Sequence, residues 1–246
     1  MMESIRISKY FTDCGIMSRR AAEAEIQGGK VKVNGKIATL GQKIDPAVDV
    51  VEYNGKIIRM LTNEKFYIML NKPRGIVTTA SDEKGRTDVT HLCRDLKDSA
   101  GKSVRVYPIG RLDMDSDGLL LLTNDGELAN KLTHPRHSIP KIYHVTIDGV
   151  LSDPQINVLG NSILIDGRET VPVTVQKLAQ NASNTIVQFE LYEGRNRQIR
   201  KMCESLDLEI ISLKRIAIGD LKLGNLKPGT WKKLTKSLVD YLRQGR

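Results

Sequence analysis

The densest run of polar residues is Gly110-Arg111-Leu112-Asp113-Met114-Asp115-Ser116-Asp117-Gly118, lodged between two apolar stretches that read as strands. Carboxylates at alternate positions can ligate a metal, attack or deprotonate a sugar, or form turns. Asp113, Asp115, Asp117 and Gly118 match the first half of an EF-hand calcium loop, where alternate carboxylates wrap the ion and a glycine permits the sharp turn. The second half fails. Asn124 stands where a bidentate glutamate is required, Leu119 to Leu122 is wholly apolar, and strands rather than helices flank the loop. A two-carboxylate glycoside hydrolase is a weak fit, because alternate positions on one turn rarely face each other across a sugar. Asp115 and Asp117 read as turn formers.

Three other clusters could carry chemistry. Gly194-Arg195-Asn196-Arg197-Gln198-Ile199-Arg200-Lys201-Met202 places four cations among the seven residues 195–201, at the start of a helix whose apolar stripe is Ile199, Met202, Cys203 and Leu206. A salt-bridged surface helix would need fewer, although Glu204 lies four residues from Arg200. Asn71-Lys72-Pro73-Arg74-Gly75 is a basic turn between strands. Pro140-Lys141-Ile142-Tyr143-His144-Val145 begins a strand with a tyrosine close to a lysine, where a tyrosine alone is more often a plain sheet residue. His134, His137 and His144 show no zinc spacing with any cysteine, and no glycine-rich phosphate loop is present.

The elements that must position these clusters fall into two groups. Ile7, Tyr10, Phe11 and Cys14 recur at helical spacing, and Ser18 is suited to cap a second helix running to Gln27, before Gly28-Gly29. Two hairpins follow, turning at Asn34-Gly35 and Asn54-Gly55, the pair of positive-φ positions that a type I′ turn demands. Residues 1–60 thus form one small unit and the polar stretch 61–65 a linker. From 66 to 246 strands outnumber helices about two to one. They are expected at 66–70, 76–79, 104–108, 119–123, 143–150, 171–178, 185–192, 209–218 and 231–234, with helices at 127–132, 155–159, 195–206 and 236–243. Strands and helices do not alternate strictly, so the reading is α+β with a mixed, mainly antiparallel sheet, rather than a doubly wound parallel one.

Composition narrows the function classes. The 246 residues carry 38 Lys and Arg against 29 Asp and Glu, a net charge of +9, which points toward an anionic partner. Leu191 to Arg246 holds thirteen basic and six acidic residues, most of that excess. Aromatic residues are only 4%, which disfavours a broad stacking platform for single strands. No apolar run reaches a membrane span, the first residues lack the apolar stretch of a signal peptide, and Cys14, Cys93 and Cys203 are too scattered for a disulfide framework. A reducing, cytoplasmic setting without membrane attachment is expected.

The four clusters, in this order, resemble the pseudouridine synthases of the RsuA/RluB family. Gly110-Arg111-Leu112-Asp113 followed by Gly118-Leu119-Leu120-Leu121-Leu122-Thr123-Asn124-Asp125-Gly126 is similar to that family's signature, whose first aspartate is the catalytic one. Asn71 to Gly75 resembles its leading basic motif, Lys141-x-Tyr143 its strand with the base-stacking tyrosine, and Gly194 to Met202 its late motif, whose arginine after Gln-Ile pairs with the aspartate. The resemblance runs from Phe66 to about Leu234. Ser18-Arg19-Arg20 and Val31-x-Val33-Asn34-Gly35 resemble the S4-like (αL) RNA-binding module that precedes the catalytic domain in this family. Ser116-Asp117 departs from it, standing where many members carry Thr and another residue.

The resemblance implies isomerisation of a uridine in ribosomal RNA, with no cofactor and no metal. The N1–C1′ bond breaks, the uracil turns, and C5 rejoins C1′. Asp113 would attack C1′ or remove the 2′ proton, Arg200 would hold Asp113, and Tyr143 would stack on the uracil, which must leave its own stack. Lys72, Arg74, Arg111, Lys141, Arg195 and Arg197 would meet the RNA, with Lys9, Arg19, Arg20, Lys30 and Lys32 doing so from the first unit. The run Ile218-Gly219-x-Leu221-x-Leu223-Gly224 through Pro228-Gly229 to Trp231 is more similar to the RluB type, which acts on 23S rRNA, than to the RsuA type of 16S rRNA. The expected partner is therefore 23S rRNA, free or within an assembly intermediate, met by a monomer. The competing class is a catalytically silent RNA-binding assembly factor, which could dispense with Asp113 or Arg200.

Overall fold

The computed structural model describes residues 4–59, 64–80, 85–134 and 139–244. The chain divides into two compact units, one made of Met1–Lys65 with Asp95–Arg105, the other of Phe66–Arg94 with Val106–Arg246. Residues 95–105, expected within the 66–246 stretch, group with the first unit. Of the expected linker, residues 61–63 lie outside the described residues.

The first unit runs β1 (Ile5–Arg6), α1 (Ile7–Asp13), α2 (Arg19–Gln27), β2 (Val31–Val33), β3 (Lys36–Ile37), β4 (Lys43–Ile44), β5 (Val51–Tyr53) and β6 (Lys56–Ile57). Ile7, Tyr10, Phe11 and Cys14 are buried, so the helical stripe faces the core as its spacing requires. The Ser18 hydroxyl accepts the Ala21 N–H and caps α2. Asn34 and Gly35 (φ 51° and 78°) and Asn54 and Gly55 (φ 49° and 75°) make the two hairpin turns. These hairpins form one sheet in the order β3-β2-β5-β6. Its core includes the edge-to-face pair Phe11 and Tyr53, 5.5 Å between ring centres. The β1–β4 pair is absent from the sequence reading, because two-residue strands carry no period.

The second unit continues with β7 (Tyr67–Lys72), β8 (Tyr107–Ile109), β9 (Asp117–Thr123), α3 (Gly126–Thr133), β10 (Lys141–Asp148), α4 (Asp153–Gly160), β11 (Leu164–Ile165), β12 (Arg168–Glu169), β13 (Thr174–Gln180), β14 (Asn184–Leu191), α5 (Gln198–Glu204), β15 (Ile210–Ile218), β16 (Leu221–Lys222), β17 (Trp231–Lys233) and α6 (Lys236–Gln244). A nine-stranded sheet takes the order β13-β14-β10-β15-β9-β7-β17, with β16 on β15 and β8 on β9. Among the described residues only the β15–β9 pair in it is parallel. The fold is mixed α+β, as expected. Leu119, Leu120, Leu121 and Leu122 are all buried, which explains why β9 reads as a continuous apolar run instead of an alternating one.

Two expectations fail locally. Residues 76–79 form no named strand, only an isolated bridge from Val77 to Asp88. The late helix starts at Gln198 rather than Arg195, because Arg197 adopts a left-handed backbone (φ 51°) and so stands outside it.

One row of the sheet places the polar clusters side by side. Lys72 of β7 pairs with Gly118 of β9, Gly118 with Arg215 of β15, and Arg215 with Tyr143 of β10. The row closes only around a glycine. Gly118 has φ +107°, and a Cβ there would lie 2.2 Å from the Arg215 carbonyl oxygen and 2.7 Å from its nitrogen. Gly118→Ala is therefore expected to cost about 3 kcal/mol or more, combining overpacking against backbone with a strained φ. Gly224→Ala, where φ is also positive but nothing lies within 4 Å of the new Cβ, is expected to cost about 1 kcal/mol. Urea denaturation of the two variants checks the difference, and equal costs would mean that the β9–β15 approach can relax.

Candidate active site

The loop between β8 and β9 carries Asp113, Asp115 and Ser116, and its shape is set by groups that bind its carbonyls. The Lys72 ammonium is fully buried and donates to three of them, Pro73 O at 3.1 Å, Asp113 O at 2.9 Å and Ser116 O at 2.8 Å. All three of its N–H bonds thus have acceptors. Burial pushes its pKa down to about 8 against the pull of Asp117, Asp113 and Asp115, with Arg215 adding to the depression. Around it the segment 74–78 adds further ties. Arg74 Nε donates to Asp115 O at 3.1 Å, the Gly75 N–H to Met114 O at 2.7 Å, and the Thr78 hydroxyl to Leu112 O at 2.6 Å.

These contacts correct the reading of the basic turn at 71–75. Lys72 cannot meet RNA, since it is buried and saturated by backbone oxygens. Arg74 is exposed, yet its guanidinium also reaches Ile211 O at 3.2 Å. The turn is a clamp for the aspartate loop. Thr78, which the sequence reading passed over, belongs to the same clamp.

The second cationic side comes from α5 and the turn before it. Arg200, with a side chain only 11% exposed, donates to Asp115 O at 3.1 Å and Ser116 Oγ at 3.3 Å and lies 3.3 Å from the Asp115 carboxylate. Arg197 is 3.2 Å from the Asp115 carboxylate and 3.7 Å from that of Asp113. The expected pairing therefore shifts. Arg200 grips Asp115 and the loop backbone, while the arginine nearer Asp113 is Arg197. Asp115 is correspondingly more than a turn former, since it accepts from both arginines. The physical reason is the late start of α5, which leaves Arg197 in a turn facing the loop and sets Arg200 within the first turn of the helix, beneath Asp115. Arg195 is tied to its surroundings, through Glu193 at 3.1 Å and the carbonyls of Arg168 and Glu169.

Asp113, Arg111, Lys141, Tyr143, Arg197 and Arg200 all line one cleft of about 760 Å³. Arg111 is exposed there, and the Asp113 side chain is 28% exposed. Lys141 is half-buried, and its pKa is pulled below the ordinary lysine value, by burial first and by Arg215 second. Arg215, absent from the sequence reading, also lines the cleft although it is only 5% exposed. A signal for it exists: Leu213, Arg215 and Ala217 occupy the buried positions of an alternating strand, and a charge at such a position is rarely decorative. In the first unit, Arg19, Arg20 and Lys32 are exposed and Lys30 pairs with Glu25 at 3.0 Å, while Lys9 pairs with Asp13 at 2.8 Å. A carboxylate held at a cleft by cations, beside an aromatic ring, suits chemistry at a sugar carbon bearing a planar base.

RNA pseudouridylate synthases match residues 66–205, and S4 domains match residues 15–50. The ribosomal large subunit pseudouridine synthase B of Bacillus subtilis is 41% identical over 97% of this chain and 95% of its own length. The dual-specificity RNA pseudouridine synthase RluF of Escherichia coli is 39% identical over 98% of this chain and 79% of its own. A crystal structure of a pseudouridylate synthase superposes with a TM-score of 0.66 at 28% identity, covering 97% of this chain and all of that one. With a family match over more than half of its length and relatives this similar along nearly all of it, the chain belongs to the RNA pseudouridylate synthase family and carries an S4 domain ahead of its catalytic unit.

Proposed function

We propose that this pseudouridine synthase isomerises a uridine of large-subunit, 23S ribosomal RNA in the cytoplasm, acting as a monomer, with Asp113 as its catalytic carboxylate. The observation that carries the assignment is Asp113 itself, accessible at the cleft on a loop fixed from beneath by Lys72 and Arg200. The relative from Bacillus subtilis, named for the large subunit and similar over nearly the full length of both chains, favours 23S over 16S rRNA as the substrate.

Asp113 either attacks C1′ or takes the 2′ proton while the N1–C1′ bond breaks, and Tyr143 stacks on the released base until C5 rejoins C1′. The target nucleotide enters the cleft after leaving its stack. Arg200 acts as a positioning residue through the loop backbone, and Arg197 supplies opposite charge to Asp113. Arg111 and Lys141 attract the RNA backbone at the cleft, and Arg19, Arg20 and Lys32 of the S4 domain add phosphate contacts of their own, with Lys9 and Lys30 shared between RNA and their acidic partners.

Asp113→Asn is expected to abolish pseudouridine formation while leaving rRNA affinity within a few fold, measured by tritium release from 5-labelled uridine. Turnover within tenfold of the parent would remove Asp113 from the chemistry. Arg200→Ala should lose far more activity than Arg197→Ala, because the first unties the loop whereas the second breaks a half-exposed pair worth about 0–1 kcal/mol. Equal losses would make Arg197 the essential cation.

The RNA assignments separate by salt. Replacing Arg19 and Arg20 together by Ala should make the slope of log affinity against log salt shallower by about 1.4–1.8, the value for two phosphate contacts. Lys72→Met should slow turnover and leave that slope unchanged, because its ammonium touches only protein. A salt titration of rRNA binding distinguishes them, and a shallower slope for Lys72→Met would restore it as an RNA ligand.

A further inference from the structure

Arg215 is the group in the catalytic unit whose placement the assigned roles leave unexplained. It is 5% exposed, and among the described residues its guanidinium has no carboxylate partner, although Asp113 and Asp115 both have arginines. Nε donates to Leu119 O at 2.7 Å, and Nη1 lies 3.5 Å from Arg111 O and 3.5 Å from the Tyr143 hydroxyl. Nη2 is buried and has no acceptor among the described residues. A buried charge held only by neutral groups, with one donor unmet, is costly. Such an arrangement is retained when an acceptor arrives from outside.

The surroundings say where that acceptor comes from. The guanidinium carbon lies 6.0 Å from the centre of the Tyr143 ring, at the hydroxyl end, and the same residue lines the cleft with Asp113. A pyrimidine stacked on Tyr143 would bring one of its carbonyl edges to the guanidinium. We propose that Arg215 is a catalytic residue whose free Nη2 donor binds a carbonyl oxygen of the target uracil and stabilises the negative charge that the base acquires when the glycosidic bond breaks. The inference rests on the assignment of Asp113 and Tyr143 to the site.

The electron balance explains why a cation belongs there. As N1–C1′ breaks, its electron pair remains with the uracil, whose charge spreads over N1, O2 and O4. C1′ is meanwhile made good by bonding to Asp113 or by loss of the 2′ proton. C5 then supplies the pair for the new bond to C1′ as the Asp113–C1′ bond breaks or as Asp113 returns the proton to C2′, the proton on C5 leaves, and N1 takes up a proton, so no oxidant or co-reactant is consumed. A fixed, desolvated donor at O2 or O4 interacts more strongly with the charged base than with the neutral one, which is the condition for accelerating the step. The depressed pKa of Lys141, caused in part by Arg215, is consistent with positive potential at this edge of the cleft.

The test uses the full-length enzyme and the rRNA transcript on which it forms pseudouridine, in single-turnover reactions with Arg215→Met and Arg215→Lys. Arg215→Met is expected to slow the reaction by about 10²–10³-fold, the range for removing one preorganised donor to a developing anion, with rRNA affinity within about threefold. Arg215→Lys keeps a charge in the same place and should recover part of that loss. The diagnostic arm replaces uridine by 5-fluorouridine, whose electron-poor ring leaves more readily as an anion. Its consumption should suffer at least about fivefold less from Arg215→Met than that of uridine, because less stabilisation is required.

Equal losses on both substrates would reduce Arg215 to a positioning role for Tyr143 and the aspartate loop. A loss in affinity with an unchanged single-turnover rate would assign it to an RNA phosphate. Either result overturns the proposal, as does Arg215→Met activity within tenfold of the parent. Thermal unfolding of each variant identifies any that fails to fold, and Arg215→Lys then carries the comparison. Asp113→Asn, run in parallel, separates the two readings: if it stays active the site itself is misassigned, whereas an inactive Asp113→Asn beside an active Arg215→Met defeats only the inference about Arg215.

Discussion

The buried ammonium of Lys72 is the contact on which the catalytic unit depends. It is buried at the end of β7, where three carbonyl oxygens replace its hydration; burial lowers its pKa to about 8, against the pull of Asp117, Asp113 and Asp115. Two of those carbonyls, of Asp113 and Ser116, lie at the two ends of the aspartate turn. Holding both from one point fixes the turn, and with it the direction in which the Asp113 carboxylate leaves the backbone. Removing one member of such a set leaves buried polar groups unmet, which is costlier than the set itself is stabilising.

Gly118 makes that arrangement possible in the sheet. Lys72, Gly118, Arg215 and Tyr143 are register partners across four strands, so residues from four distant parts of the chain come within one row. The glycine lets β9 approach β15 in parallel pairing, and the parallel step brings the start of β9, where the aspartate loop ends, beside the middle of β15. A Cβ at this point would separate the loop from Arg215 and Tyr143 together. The cleft is thus built on strands, with the Asp113 carboxylate on the loop they hold.

Charge is distributed around this frame by depth. The cations beneath the loop, Lys72 and Arg200, act on its backbone, and those at its rim, Arg197 and Arg111, remain exposed. The buried set governs geometry, whereas the exposed set contributes to a long-range positive field that weakens with salt. The net charge of +9 is therefore not a single quantity in functional terms.

Much of this was legible before any coordinates. The helical stripe from Ile7 to Cys14, the Ser18 cap and both Asn-Gly turns follow from local rules, since periodicity, capping and positive φ act over a few residues. The aspartate turn, Tyr143 and the arginine-rich start of α5 could be singled out by residue type and spacing, and their order carried the family resemblance. What sequence could not decide was which cation meets which oxygen. Lys72 and Arg74 look alike in a basic pentapeptide, but one is at an inward strand end and the other in the solvent-facing turn. The left-handed backbone at Arg197 moved the start of α5 by three residues, and so moved Arg200 from Asp113 to Asp115. Arg215 entered the site only through the non-local pairing of β15 with β9 and β10, some hundred and some seventy residues away in the chain. Local propensity specifies the elements, whereas the identity of a charge's partner is set by sheet register, which only the folded chain defines.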